Sequence, residues 1–266
     1  MPDLSGHLQA GEGLSVIFNH GMAMDLSMFA AQMDALVARG YHVVSMAHRS
    51  LLGNTAAHSL EDLARDTVEL ADQLGIVRFV AAGMSMGAFT SLRVALDHLD
   101  RCEGLIMIDG VAGAYSPPER EGFAAHAASL DQISGGLPRE FAEGLATVEF
   151  RPATLRNQPE LVEAWIERWC ATPAAAVASQ MRSWSDMDDV TDRLPDIAVP
   201  VLLAYGADDA PIPIARLFPM IERLADVTLV KIPDAGHSSN IEQPELVNAA
   251  ILAFLDRLHR QDHRGY

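Results

Sequence analysis

The chain has 266 residues, of which 49% are apolar and 21% charged, enough for one large α/β domain or two small ones and unlike a disordered or fibrous chain. Its formal net charge of −17 is spread along the sequence, a field that disfavours nucleic acid and anionic membrane surfaces as partners. No apolar run approaches the roughly 20 residues of a bilayer span, and residues 1–13 carry neither Lys or Arg nor an apolar leader, so a cytoplasmic protein is expected.

Short apolar runs alternate with amphipathic stretches of helical length. Residues 14–19 (LSVIFN) predict a strand, 26–39 a helix and 41–46 a second strand. Residues 60–74 predict a helix, because Leu60, Leu63, Thr67, Leu70 and Leu74 recur at three- and four-residue spacing with carboxylates opposite. Strands are expected at 78–82, 104–109, 200–205 and 227–231, and helices at 88–98 and 244–258. Such alternation builds a mostly parallel, doubly wound sheet with helices on both faces. The pattern lapses between 112 and 192, which holds all three tryptophans and no convincing strand. The expected organisation is therefore a core of residues 1–111 and 193–266 with a helical lid of 112–192 at the carboxyl edge of the sheet, where open α/β sheets bind ligands.

Gly83-Met84-Ser85-Met86-Gly87 fits the G-x-S-x-G nucleophile elbow and lies between an expected strand and an expected helix, as that turn requires. The alternative is a serine at a plain strand-to-helix turn. A serine hydroxyl needs an adjacent base, and the order Ser, acid, His places it late in the chain. Of ten histidines, His237 lies in the loop between the last expected strand and the last helix. The acid belongs after the strand at 200–205, where Asp208 and Asp209 are adjacent candidates. The oxyanion donors are expected to be the backbone N–H groups of Met86, next to the nucleophile, and Met22, in the loop after the first strand. Substrate contacts are expected from His20 and Met24 in that loop, from Arg49, and from Trp165 and Trp184 in the insertion. Arg151, Arg156 and Arg182 are further candidate cations. Cys102 and Cys170 have no metal-ligand spacing and form no disulfide framework.

With elbow, acid loop and His loop in place, the chain resembles the α/β-hydrolase superfamily, and within it the 3-oxoadipate enol-lactonases and related small-ester hydrolases. The carriers are Asp25-Leu26-Ser27-Met28-Phe29, residues 59–66 (SLEDLARD), the elbow itself, Gly206-Ala207-Asp208-Asp209 with Pro213, and residues 236–244 (GHSSNIEQP). The acid loop of the family resembles G-x-x-D-x-x-x-P, a register that selects Asp209. Two departures stand out: residues 47–55 (AHRSLLGNT) replace the usual D-x-R-G-x-G-x-S turn, and only 13 residues precede the first apolar strand, so the first strand of the sheet is expected to be missing or vestigial. The resemblance implies ester or lactone hydrolysis of a small molecule through an acyl-enzyme on Ser85, with no metal and no cofactor. The same three residues also serve carbon–carbon hydrolases, cofactor-free haloperoxidases and cofactor-free oxygenases, and a non-catalytic small-molecule receptor is a third reading. Oligomeric state is not legible.

Overall fold

A computed structural model describes residues 6–262. Its strands are β1 (His7–Ala10), β2 (Ser15–Asn19), β3 (His42–Met46), β4 (Phe79–Met84), β5 (Cys102–Ile108), β6 (Val201–Gly206) and β7 (Val227–Ile232). They form one sheet in the order β1-β3-β2-β4-β5-β6-β7, parallel except for β1 against β3. Strands β2 and β4 are buried at every residue, as expected where helices cover both faces of a parallel sheet. The edge strands are half-exposed. The first strand, expected to be missing or vestigial, is present as β1, four residues (HLQA), short, polar and at an edge. It supplies one antiparallel strand ahead of the first apolar one.

Helices α1 (Ala30–Val37), α2 (Leu60–Gln73) and α3 (Met86–Asp97) link the first strands. Helix α2 opens on a capping box in which Ser59 and Asp62 satisfy one another's backbone N–H groups. Between β5 and β6 lie α4 (Pro117–Leu130), α5 (Arg139–Glu149), α6 (Pro152–Asn157), α7 (Pro159–Ala171) and α8 (Ala174–Ser185). Then come α9 (Phe218–Arg223), α10 (Ser239–Glu242) and α11 (Pro244–Asp262). No helix among the described residues is long and apolar enough to cross a membrane. Two apolar clusters fill the two sides of the sheet, one built on α2 and α3, the other on α1 and α11, and both extend into the helices between β5 and β6.

The chain leaves β2 toward β3 on one side and returns to β4 on the other. This reversal opens a crevice at the carboxyl ends of β2 and β4, the place where such sheets bind ligands. The described non-glycine residues with positive φ are Ala23, Ser85, Asp109 and Asp234, and each follows the carboxyl end of a parallel strand. Strain of this kind costs about 1–3 kcal/mol per residue and collects at functional sites.

Candidate active site

Strand β4 ends at Met84 and α3 begins at Met86, so Ser85 alone makes the turn, at φ 50° and ψ −118°. Glycine on either side allows it. A Cβ at Gly87 would lie 1.9 Å from the Asn19 carbonyl oxygen, and one at Gly83 would lie 2.2 Å from that of Gly87. The backbone of the turn is therefore pressed against β2. Ser85 N–H donates to the Ile108 carbonyl at 2.9 Å, and its side chain stands half-exposed at the crevice.

His237 reaches Ser85 from the loop after β7, and its Nε2 lies 2.9 Å from Ser85 Oγ. Its Nδ1 lies 2.9 Å from Asp209 Oδ2, and Asp209 Oδ1 accepts from Ile212 N–H at 2.9 Å. With Nδ1 donating to the carboxylate, Nε2 is left facing the hydroxyl. The adjacent Asp208 is exposed and pairs with Arg151 instead. The acid and histidine loops meet because both are glycine at the crossing: a Cβ on Gly206 would lie 1.9 Å from the Gly236 carbonyl oxygen.

Three buried carboxyl groups hold the histidine loop. Glu149 accepts from Ser238 Oγ at 2.7 Å, Asp109 from Ser239 Oγ at 2.6 Å, and Glu242 from Gly236 N–H at 2.5 Å. Asp109 also accepts from Gly206 N–H at 2.7 Å, tying the acid strand to the histidine loop. Burial, with the Asp209 charge nearby, holds the Asp109 carboxyl well above the usual carboxylate range, and burial raises Glu149 likewise. For His237 burial opposes the charged form, but the Asp209 charge and hydrogen bond, followed by the charges of Glu149 and Asp109, outweigh it. Its pKa is raised to about 9. Sequence reasoning missed Asp109, Glu149 and Glu242. Asp109 had a signal, a carboxylate closing a buried strand; Glu149 had none, being one acid among many in a helix.

In the loop after β2, Gly21 N–H donates to Met28 Sδ at 3.4 Å, and Ala23 N–H to Gln180 Oε1 at 2.7 Å. Between them Met22 N–H meets no acceptor among the described residues, and neither does Met86 N–H at the first turn of α3. Met86 belongs to the elbow, and Gly21, the neighbour of Met22, lies against it: a Cβ there would be 2.8 Å from Met84 Sδ.

Other expected contacts are placed differently. His20 is fully buried and stacked on His48, with Nδ1 against the Gly21 carbonyl at 2.7 Å and Nε2 accepting from His48 N–H at 3.0 Å. Burial lowers its pKa to about 4, so it is a neutral brace for the loop. Met24 is enclosed in the core. Arg49 is occupied by Asp66 and Arg182 by Asp131. Trp165 lies under Arg168 beside a groove between α1 and α7. Trp184 lines a cleft of about 400 Å³ together with Met22, Phe123, Phe141, Leu145 and Met181. Among the described residues no group of His, Cys, Asp and Glu is arranged to hold a metal ion.

Residues 16–250 match the model of the Alpha/beta hydrolase family. The 3-oxoadipate enol-lactonase 2 of Acinetobacter baylyi is 27% identical over 248 residues, covering 92% of this chain and 90% of its own. A Variovorax paradoxus protein provisionally named carbamate hydrolase RutD is 25% identical over 252 residues, 93% of each chain. A thermophilic esterase from Thermogutta terrifontis has a similar structure, with a TM-score of 0.88 at 30% identity over 96% of this chain and 93% of its own.

Proposed function

The chain belongs to the Alpha/beta hydrolase family, and from that premise we propose that it is a serine hydrolase cleaving a carboxylic ester or lactone of a small molecule. The observation that carries this reading is the unbroken relay from Ser85 Oγ to His237 to Asp209, two contacts of 2.9 Å each. An isolated serine hydroxyl is a poor nucleophile, and an imidazole held this way is the group that activates it.

In the proposed mechanism Ser85 Oγ attacks the carbonyl carbon while its proton passes to His237 Nε2. Asp209 holds the ring in the required tautomer and stabilises its charged form. The carbonyl oxygen, now an anion, is received by the unpaired N–H groups of Met22 and Met86. Loss of one such donor costs about 3–4 kcal/mol in the transition state. His237 then returns the proton to the leaving alcohol oxygen, and the C–O bond breaks to leave an acyl group on Ser85. Water, deprotonated by the same imidazole, attacks this acyl-enzyme, and the imidazolium returns that proton to Ser85 Oγ as the Oγ–acyl bond breaks and the acid leaves. The helices within residues 112–192 serve as a lid over the crevice and select the substrate. The relay requires no metal or organic cofactor.

The test is turnover of a short p-nitrophenyl ester together with labelling by a fluorophosphonate. Ser85→Ala is expected to lower kcat by about 10⁴ or more and to abolish the label, which should map to Ser85 in the native protein. Near-native turnover by Ser85→Ala, or a label on another residue, would overturn the reading.

A further inference from the structure

The cleft beside Met22 has one chemical character. Its volume of about 400 Å³ falls in the range of small-molecule sites. Helices α4, α5 and α8 supply the apolar walls, Phe123, Phe141, Leu145, Met181 and Trp184. Its polar lining is His126 and Glu140, both exposed, and it contains no Lys or Arg. The arginines around it are paired elsewhere: Arg120 with Asp186, Arg182 with Asp131, Arg139 with Glu143 and Glu163, Arg151 with Asp208 and Asp234. Met22 is at once a wall of this cleft and the bearer of an unpaired N–H at the elbow.

Resting on the serine hydrolase reading, we propose that this cleft is the subsite for an uncharged, apolar arm of the substrate, and that the enzyme selects against esters carrying a second carboxylate. A carboxylate entering the cleft loses its water and gains no cation, which is strongly unfavourable. Glu140 and the formal net charge of −17 repel it further. A methylene entering the cleft leaves water for an apolar wall, a gain of about fourfold in kcat/KM for each one accommodated. The substrate class is thus the neutral alkyl or aryl ester, distinct from the lactone with a free carboxylate that the name of the Acinetobacter relative, 3-oxoadipate enol-lactonase 2, implies.

The test compares methyl hexanoate with monomethyl adipate, which differ only in a terminal methyl or carboxylate, alongside methyl butanoate and octanoate. Turnover is expected to rise with chain length, and monomethyl adipate to fall at least about 100-fold below methyl hexanoate. Val148→Lys, at a cleft position 45% exposed, is expected to narrow that ratio by about tenfold or more through the added cation. Equal or faster turnover of monomethyl adipate would overturn the subsite while leaving the hydrolase intact. An unchanged ratio in Val148→Lys would overturn its placement in this cleft. No turnover of any ester would overturn the hydrolase reading and the subsite together.

Discussion

Of the acids around the imidazole of His237, Asp209 is the one it is hydrogen-bonded to, while Glu149 and Asp109 act on it from behind Ser238 and Ser239. With its pKa raised to about 9, the ring at neutral pH carries two protons and cannot accept a third. kcat/KM is therefore expected to rise with pH from 5 to 10, with a midpoint nearer 9 than the ordinary value of 6.5. A rate that falls across this range contradicts the role of the ring as base. The effect on stability has the opposite sign. The raised value stabilises the fold fully below about pH 6.5, and this contribution is lost as pH passes through the folded value. Asp209→Asn is expected to cost about 10⁴ in kcat, whereas Asp208→Asn leaves kcat within a few-fold, because Asp208 faces Arg151 and solvent. Comparable losses from the two would contradict the assignment of the acid.

Two elements meet the elbow from opposite directions, and both contacts can be tested. Helix α3 lies against β2 through Gly87, and a methyl group there would overlap the Asn19 carbonyl. Gly87→Ala is expected to destabilise the fold by at least about 3 kcal/mol, read as a lower denaturation midpoint or loss of soluble protein. Helix α8 reaches the loop after β2 through the fully buried Gln180, whose Oε1 accepts from Ala23 N–H and whose Nε2 donates to Ser50 Oγ at 3.0 Å. Ala23 holds φ 59°, so Gln180 pins a strained residue next to Met22. Gln180→Leu leaves buried groups unpaired at about 1–3 kcal/mol each and frees the loop that carries an oxyanion donor. A lower melting temperature together with a fall in kcat larger than any rise in KM is expected; a stability loss with unchanged kcat would show that α8 only props the fold. The elbow was legible in the sequence because the close approach at Gly83 and Gly87 admits only glycine. The contact of Gln180 was not, because it joins residues 157 positions apart and leaves no local pattern. Strand β1 could be placed no more closely than missing or vestigial for a related reason: an edge strand of four residues owes its existence to pairing with β3, not to its own apolar periodicity.

Across the whole molecule the parallel sheet was the most legible feature, since strands buried on both faces read as continuous apolar runs. What the sequence could not reveal was which of its many charges are spent on one another. By residue type Arg49 and Arg182 are candidate substrate cations or solvated charges, and Asp66 and Asp131 pair with them. The excess of 36 acidic over 19 basic residues remains after such pairing and repels itself. Raising NaCl is expected to raise the melting temperature by screening this repulsion. A fall would mean that surface pairs such as Arg39–Asp256 outweigh it. The central claim is that Ser85 and His237 act as one unit, and a double-mutant cycle on kcat tests it most directly. Ser85→Ala and His237→Ala are each expected to lower kcat by about 10⁴–10⁶, and the double variant to fall no more than about tenfold further. Losses that multiply, or either single variant turning over like the native enzyme, would contradict it.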